Sequence, residues 1–505
     1  MDDFHQDTVK DICERVRHFH DSKTKFRVYH GSTNSTRQAN FDRDAIVDVS
    51  MLNRILSISP ETRTALVEPN VPMDALVKET KKYGLLPPVV MEFPGITVGG
   101  GVVGTAGESS SFKHGFFDRC VEEVHVVMAD GKLVTAGEGK NEELLEALRG
   151  SFGTLGVLTL VKLRLIDARK YVEVTYHPTS NIKQAVQMVN EEAQNQEHDY
   201  IDGILFSRTS GVIVTGRLTD SPSLSTDSSS ASKIVRFSRP WDEWFYLHAG
   251  HIAASQQTKT EYVPLEDYLF RYDRGAFWTG MYAFKWFMLP FNWLMRLLLD
   301  YFMHTRIMYH ALHESGHTDR YIIQDLALPG EHAAEFVEWV DERFGIYPLW
   351  VCPLRGDARH SMGYARDWKS KAGKDDDVYV NIGVWGPYPG SEAGYVSANR
   401  ALEGKLAMLG GLKWLYARVF CTEDEFWDIY DKQRYEEVRR RFNATGLPSI
   451  WEKVREDGKK RGQADGGSIK DMLRRLVKNN SFLSGFYGVW KAVRGGDYLL
   501  AKKRR

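Results

Sequence analysis

The chain predicts an α+β protein of two units and a basic C-terminal tail, and three observations carry that prediction. Up to about residue 168, short strand and helix patterns surround one glycine-rich stretch, Pro94 to Gly115. From about Tyr171 the pattern changes to longer strands alternating with helices. From Lys459 to Arg505 the chain carries thirteen Lys and Arg against three Asp and no Glu. These changes set the boundaries 1–168, 169–458 and 459–505.

In the first unit, residues 6 to 20 read as an amphipathic helix with Val9, Ile12, Cys13 and Val16 on one face. Phe26 to Tyr29, Ala45 to Val49 and Thr64 to Pro69 read as strands, with His30 in the turn after the first. Met73 to Tyr83 reads as a helix closed by Gly84. Val121 to Met128 and Lys132 to Thr135 form a hairpin across Asp130-Gly131. Asn141 to Arg149 is helical, with Glu142 and Glu143 at its favourable N-terminal end. A second glycine-rich turn, Gly150 to Gly156, feeds a strand from Val157 to Leu165.

In the second unit, Val172 to Tyr176, Gly211 to Gly216 and Tyr379 to Val384 read as strands, and Val337 to Phe344 and Leu402 to Leu409 as helices. Asp220 to Ser232 is low in complexity and reads as a loop. Ala276 to Met303 is long and apolar enough to pass for a membrane span, but Lys285, Pro290, Asn292 and Arg296 interrupt it. It reads as two short helices broken at Pro290, either lining an apolar pocket, lying in a membrane interface, or packed as ordinary core.

Composition excludes several classes. A net charge of −1 gives no global attraction to nucleic acid. Cys13, Cys120, Cys352 and Cys421 lack paired spacing, which argues against a disulfide framework or a zinc site and fits a reducing compartment. No metal is expected. The acidic start Met1-Asp2-Asp3 is not a signal peptide.

The glycine-rich stretch carries the chemistry. Gly99, Gly100, Gly101, Gly104 and Gly107 precede Glu108, Ser109, Ser110, Ser111, Lys113, His114 and Gly115. Glycines let backbone N–H groups approach an anion closely, and the serines add donors, so the stretch reads as a pyrophosphate cradle. Gly99-x-Gly101-x-x-Gly104 matches G-x-G-x-x-G, yet no buried strand precedes it and no apolar-periodic helix follows, so a Rossmann nicotinamide site is not expected. A ligand-free turn is the alternative, but five glycines with three serines exceed what a turn requires.

These residues resemble the flavin-binding core of the vanillyl-alcohol-oxidase-type (PCMH-type) FAD superfamily, and most closely its Δ24-sterol reductases, the Diminuto/seladin group. The pattern stands here as Thr97, Val98, Gly99, Gly100, Gly104, Thr105, Glu108 to Ser111, Lys113 and Gly115. Further matches follow in the family's order: Ala129-Asp130-Gly131, Gly153 to Gly156, Phe277-Trp278, Tyr347 to Pro353, Leu415-Tyr416-Ala417 and Glu425-Phe426-Trp427. The resemblance runs over about residues 10 to 450. It implies a two-subdomain FAD-binding domain followed by an α+β substrate (cap) domain. FAD would be held by Thr97, Val98, Gly99, Gly100, Gly101, Gly104, Thr105, Gly107, Glu108, Ser109, Ser110, Ser111, Lys113, Gly153 and Gly156. The position that bears a flavin-linked histidine in some of the superfamily falls near Ser32, which implies non-covalent FAD. His30, one residue-register away, reads as an exposed turn histidine.

The family's activity implies reduction of the side-chain double bond of a sterol or related isoprenoid, with NADPH as reductant and no resident nicotinamide domain. Such an alkene is not activated for direct hydride addition. Protonation of its less substituted carbon leaves a tertiary cation that hydride quenches, so the site needs an acid, a dry pocket and aromatic faces. Tyr416, Tyr272 and Arg274 are the candidate catalytic residues, with Glu108 and Asp273 as further acids and Arg271 and Trp278 as positioning groups. Tyr416 reads more readily as a core tyrosine with a satisfied hydroxyl, and no motif fixes the acid. An FAD-dependent oxidase or dehydrogenase of an alcohol or sugar, and a non-catalytic FAD or sterol binder, are the competing readings.

Ile469, Met472, Leu473, Leu476 and Val477 at helical spacing beside Arg474, Arg475 and Lys478 make the tail a basic amphipathic helix. The chain ends Lys502-Lys503-Arg504-Arg505, the form of a dilysine retrieval signal. The expected location is the cytosolic face of the endoplasmic reticulum, bound peripherally to anionic lipid, with the cytoplasm as the alternative.

Overall fold

The computed structural model describes residues 2–31, 35–37, 41–222, 234–315, 320–355, 378–455 and 490. The proposed basic helix at 469–478, the C-terminal lysines, Ser32, Thr33 and most of the low-complexity stretch lie outside the described residues.

The first helix, Asp3–Asp21, begins where the Asp2 carboxylate accepts the His5 N–H at 2.9 Å. It buries Val9, Ile12, Val16 and Phe19. Arg27–Tyr29 and Ile46–Asp48 form a small parallel pair. The centre of the first unit is a five-stranded antiparallel sheet, in spatial order Ile55–Ser59, Thr64–Val67, Gly156–Arg164, Val121–Met128 and Leu133–Gly137. Gly131 turns the expected hairpin at φ +79°. The strand Ile55–Ser59 has no inward alternation, since all of it is half-buried or exposed, and the residue pattern therefore does not announce it.

The second unit is an eight-stranded antiparallel sheet. Its spatial order is Lys259–Pro264, Tyr171–Thr179, Ser210–Thr219, Tyr200–Ser207, Leu349–Arg355, Val378–Pro387, Tyr321–Pro329 and Leu412–Lys413. Alternation along the strands separates its two faces. Ile322, Leu326, Leu328, Val380, Ile382 and Val384 pack under the helices Ile182–Glu192 and Gly330–Phe344. The intervening positions, including Asp325, Asn381, Trp385 and, one strand over, Trp350, face the first unit.

The apolar stretch is, as its sequence indicates, two short helices, Thr279–Trp286 and Trp293–Leu298, separated around Pro290 and followed by a 3-10 turn at Asp300–Met303. Among the described residues no helix is long and apolar enough to cross a membrane. Residues 423–455, assigned by sequence to the second unit, return to the first. The Tyr435 hydroxyl donates to Thr154 Oγ1 at 2.8 Å, Lys25 pairs with Glu452 at 2.7 Å, and Lys453 donates to the Phe152 carbonyl.

Candidate active site

Thr97 starts the organising element. Its hydroxyl accepts the Gly100 N–H at 3.3 Å and caps a helix over Val98–Val103. The glycine stretch is therefore a helix rather than the loop that its composition indicates. Val98 and Val102 anchor it in the core. The glycines allow its close packing. A Cβ on Gly99 would lie 2.8 Å from Pro69 Cβ and 3.1 Å from the Pro69 carbonyl, and one on Gly101 would lie 2.7 Å from Met91 and Phe117.

Between this helix and the inner face of the eight-stranded sheet lies a cavity of about 320 Å³. Its two ends differ. One end is polar and cationic, formed by Arg27, His30, Arg37 and Lys453 beside Gly99, Gly100, Gly104 and Gly153. Burial and then the charges of Arg27 and Arg37 push the Lys453 ammonium down to about 7. Burial and Lys453 likewise push His30 down to about 4, and its Nδ1 is enclosed without a hydrogen-bond partner among the described residues. His30 is thus a wall residue, not the exposed turn histidine expected.

The other end is aromatic and carboxylic. Phe93, Phe277, Tyr309, Trp350, Trp385 and Trp414 wall it. Phe93 meets Phe277 edge-on at 5.6 Å and Trp385 at 5.9 Å. Two wall residues, Phe152 at φ +51° and Phe277 at φ +62°, hold left-handed backbone, which costs about 1 kcal/mol or more each for a bulky side chain. Asp325, Asn381, Tyr416 and Glu92 supply the polar atoms. The Tyr416 hydroxyl donates to Asp325 Oδ2 at 2.5 Å, and Asn381 Nδ2 donates to Oδ1 at 3.0 Å. Burial raises Asp325 above the usual carboxylate range, against the pull of these donors. Burial, reinforced by Asp325, raises Tyr416 well above its ordinary value.

Residues 5–137 match the family described as FAD binding domain. The chain is 26% identical to the Delta(24)-sterol reductase of Homo sapiens over 467 residues, 89% of this chain and 86% of that one. It is 28% identical to the Delta(24)-sterol reductase of Arabidopsis thaliana over 434 residues, 79% of this chain and 74% of that one. L-gulonolactone oxidase of Mus musculus is more distant, at 22% identity over 415 residues, 81% of this chain and 85% of that one. The chain is an FAD-dependent oxidoreductase related to the Delta(24)-sterol reductases.

The cavity fits the cofactor on its own evidence. Arg27, Arg37 and Lys453 crowd positive charge into one buried end, a repulsion that a pyrophosphate would relieve. Glycine backbone forms the adjoining wall, where side chains would intrude. Thr97, Gly99, Gly100, Gly104, Gly107, Gly153 and Gly156, all singled out by sequence, line this oxidoreductase's cavity.

The others do not line it. Val98 and Gly101 are buried in the core, and Thr105 bonds through its carbonyl to the Trp414 indole N–H at 2.9 Å. Ser109 Oγ donates to Glu108 Oε2 at 2.6 Å, Ser110 Oγ lies within hydrogen-bond reach of both Glu108 and the Pro88 carbonyl, the latter at 2.8 Å, and Ser111 Oγ accepts the Glu108 N–H at 2.9 Å. Lys113 bonds Asp199 at 2.8 Å, and the Ile201 N–H donates to the Ser109 carbonyl at 2.8 Å. The serine run therefore joins the two units instead of offering donors to a pyrophosphate.

Tyr416 reaches the cavity, whereas Tyr272 and Arg274 do not line it. The Tyr272 hydroxyl donates to buried Asp202 at 2.7 Å, and its ring stacks behind Phe277 at 4.1 Å. Arg274 pairs with Asp300 at 2.8 Å and donates to the carbonyls of Phe237, Pro240 and Asp242. Both hold the wall in place. Asp273 binds His304, and Arg271 binds Asp202 at 2.7 Å. Sequence reasoning missed Glu92, Asp325, Asn381 and Lys453. Asn381 left a signal, as a lone polar residue among apolar neighbours on a buried strand, and Asp325 a weaker one beside Gln324.

A second cavity of about 160 Å³ adjoins the aromatic end, with Tyr309 and Trp385 in the walls of both. Ala283 and Trp286 of the first short helix, Phe287 after it, and Ile307 and Leu312 of the helix Thr305–Ser315 line it, which makes it an apolar chamber.

Proposed function

We propose that this oxidoreductase reduces the Δ24 side-chain double bond of a sterol or related isoprenoid, with NADPH as the source of electrons. The observation that carries the reading is the pairing of the cationic, glycine-walled end with an aromatic, carboxyl-bearing end that adjoins an apolar chamber across Tyr309 and Trp385. The names of the similar human and plant proteins point the same way.

Bound flavin supplies hydride to an electron-poor carbon. This chain's residues do the rest. Arg27, Arg37, Lys453 and the glycine wall hold the phosphates non-covalently. The second cavity takes the rigid apolar body of the substrate and leaves its flexible side chain to pass Tyr309 and Trp385 toward the first. The aromatic walls exclude water and present π faces to positive charge developing on the side-chain carbon.

The oxidase reading has one support, the likeness to L-gulonolactone oxidase. The six aromatic side chains of the wall and the apolar second cavity beside them favour the reductase over a polyhydroxylated substrate. Incubation with NADPH and desmosterol, lanosterol or a non-sterol prenyl compound tests the reading through the product of each. Saturated side chains support it, and oxidation of an alcohol or sugar in their place overturns it.

Location belongs to the same proposal. Met288, Trp293, Leu294, Leu298 and Tyr301 are exposed on the segment that encloses the apolar chamber. We place them against the cytosolic surface of the endoplasmic reticulum, with the basic residues at 459–505 contributing about 1 kcal/mol each near anionic lipid.

A further inference from the structure

We propose that Glu92, held as a neutral carboxylic acid, is the proton donor to the substrate alkene. The inference rests on the reductase reading above.

Three carboxyl groups are buried around the aromatic end: Glu92, Glu108 and Asp325. Arg271 is the cation among their neighbours, and Asp202 already engages it at 2.7 Å. The three differ in their donors. Glu108 is surrounded by them, receiving the Ser109 hydroxyl at 2.6 Å, the Ser110 N–H at 2.9 Å and the Ser110 hydroxyl. Asp325 receives Tyr416 at 2.5 Å and Asn381 at 3.0 Å. Those two carboxyl groups have donors at their oxygens, although burial raises both above the ordinary carboxylate range. Glu92 Oε1 is enclosed with no hydrogen-bond partner among the described residues, although its side chain lines the cavity. An ionised carboxylate so placed is costly, while a protonated one can direct its O–H into the cavity.

The groups that act on Glu92 agree. Burial first, then the charge of Glu108 and, more weakly, that of Asp325, raise it well above the ordinary carboxylate range, and its own backbone N–H and Arg271 oppose them only in part. Tyr416 and Cys352, also within its field, are themselves raised and stay neutral. Tyr416, one of the candidate acids read from sequence, directs its proton to Asp325.

In the step assigned to Glu92, the alkene π pair takes its proton and forms a C–H bond at the less substituted carbon. The positive charge is left on the tertiary carbon between the faces of Phe93, Phe277 and Trp385. Hydride from reduced flavin brings the two electrons that close the second C–H bond. The carboxylate left on Glu92 regains a proton from water as product leaves.

The test uses the full chain loaded with FAD, comparing wild type with Glu92→Gln and Glu92→Asp. Flavin content and NADPH bleaching report folding and cofactor binding, and both are expected unchanged. Reoxidation of pre-reduced flavin by desmosterol is expected to slow at least about 100-fold in Glu92→Gln, with partial rescue in Glu92→Asp. The wild-type rate is expected to fall as pH rises through the raised acid range, and the residual Glu92→Gln rate to lose that limb. An infrared difference spectrum needs no substrate: wild type is expected to show a protonated-carboxyl band at neutral pH that Glu92→Gln lacks. A Glu92→Gln rate within threefold of wild type, or no such band lost, overturns the assignment of Glu92 (threefold is about 0.7 kcal/mol, too little for general acid catalysis). Wild-type flavin that no Δ24 compound reoxidises overturns the reductase reading and this inference with it.

Discussion

At the residue scale, neighbouring glycines of one helix have separable roles. Gly100 faces the cavity, and a Cβ there meets only Thr97 Oγ1 at 3.2 Å, whereas a Cβ on Gly101 meets Phe117 and Met91 at 2.7 Å. Gly100→Leu is therefore expected to leave the fold intact and lower FAD occupancy, measured as flavin absorbance per protein after gel filtration. Gly101→Ala is expected to cost about 1–3 kcal/mol of stability through overpacking, measured by denaturant unfolding. The glycines were legible because few other uses explain five of them together. Glu92 was not, because its role comes from a carboxyl oxygen that no donor among the described residues reaches, which a sequence does not display. The serine run misled for the converse reason. Its hydroxyls suit a phosphate equally well, and only the fold shows that Glu108 and Pro88 already bind them.

At the element scale, the apolar segment is fastened by a titratable clasp. His304 bonds Asp273 through Nδ1 at 2.5 Å and Asp300 through Nε2 at 3.4 Å, and Asp300 also holds Arg274. The bond to Asp273 first, and that to Asp300 second, raise His304 from 6.5 to about 9. The folded value exceeds the unfolded one, so the clasp stabilises fully below pH 6.5 and is lost as pH rises through about 9. The ring is 34% exposed, and screening reduces the effect to about 1–2 kcal/mol. Thermal melts from pH 6.5 to 9.5 are expected to show this loss in wild type and a flatter profile in His304→Gln. The break near Pro290 was legible from proline and charge placement. The glycine helix was not, since Val-Gly-Gly-Gly-Val-Val has poor helix propensity and is too short for periodicity, and its helicity comes from the Thr97 cap and tertiary packing.

At the scale of the whole molecule, the mixed α+β class could be read from strand and helix patterning. The return of residues 423–455 to the first unit could not, because the contacts of Tyr435 with Thr154 and of Lys453 with Phe152 span about three hundred positions. That return matters, since it delivers Lys453 to the cationic end of the cavity. Membrane attachment also belongs to this scale. Deleting 459–505 is expected to shift the protein toward the soluble fraction and lower activity on bilayer sterol without changing NADPH bleaching. Replacing Trp293 and Leu294 with Ser is expected to weaken flotation with anionic vesicles further. If neither variant changes flotation, the proposed surface is not the attachment site.

The central claim is that one buried cavity joins a flavin to a Δ24 alkene. It is tested most directly without oxygen, by reducing the protein with NADPH until the flavin band bleaches and then adding desmosterol. The account predicts that the band returns and that the recovered sterol has gained two hydrogen atoms at its side-chain double bond. Flavin that stays bleached with desmosterol, yet recovers with oxygen after reduction by an alcohol or sugar, would contradict it.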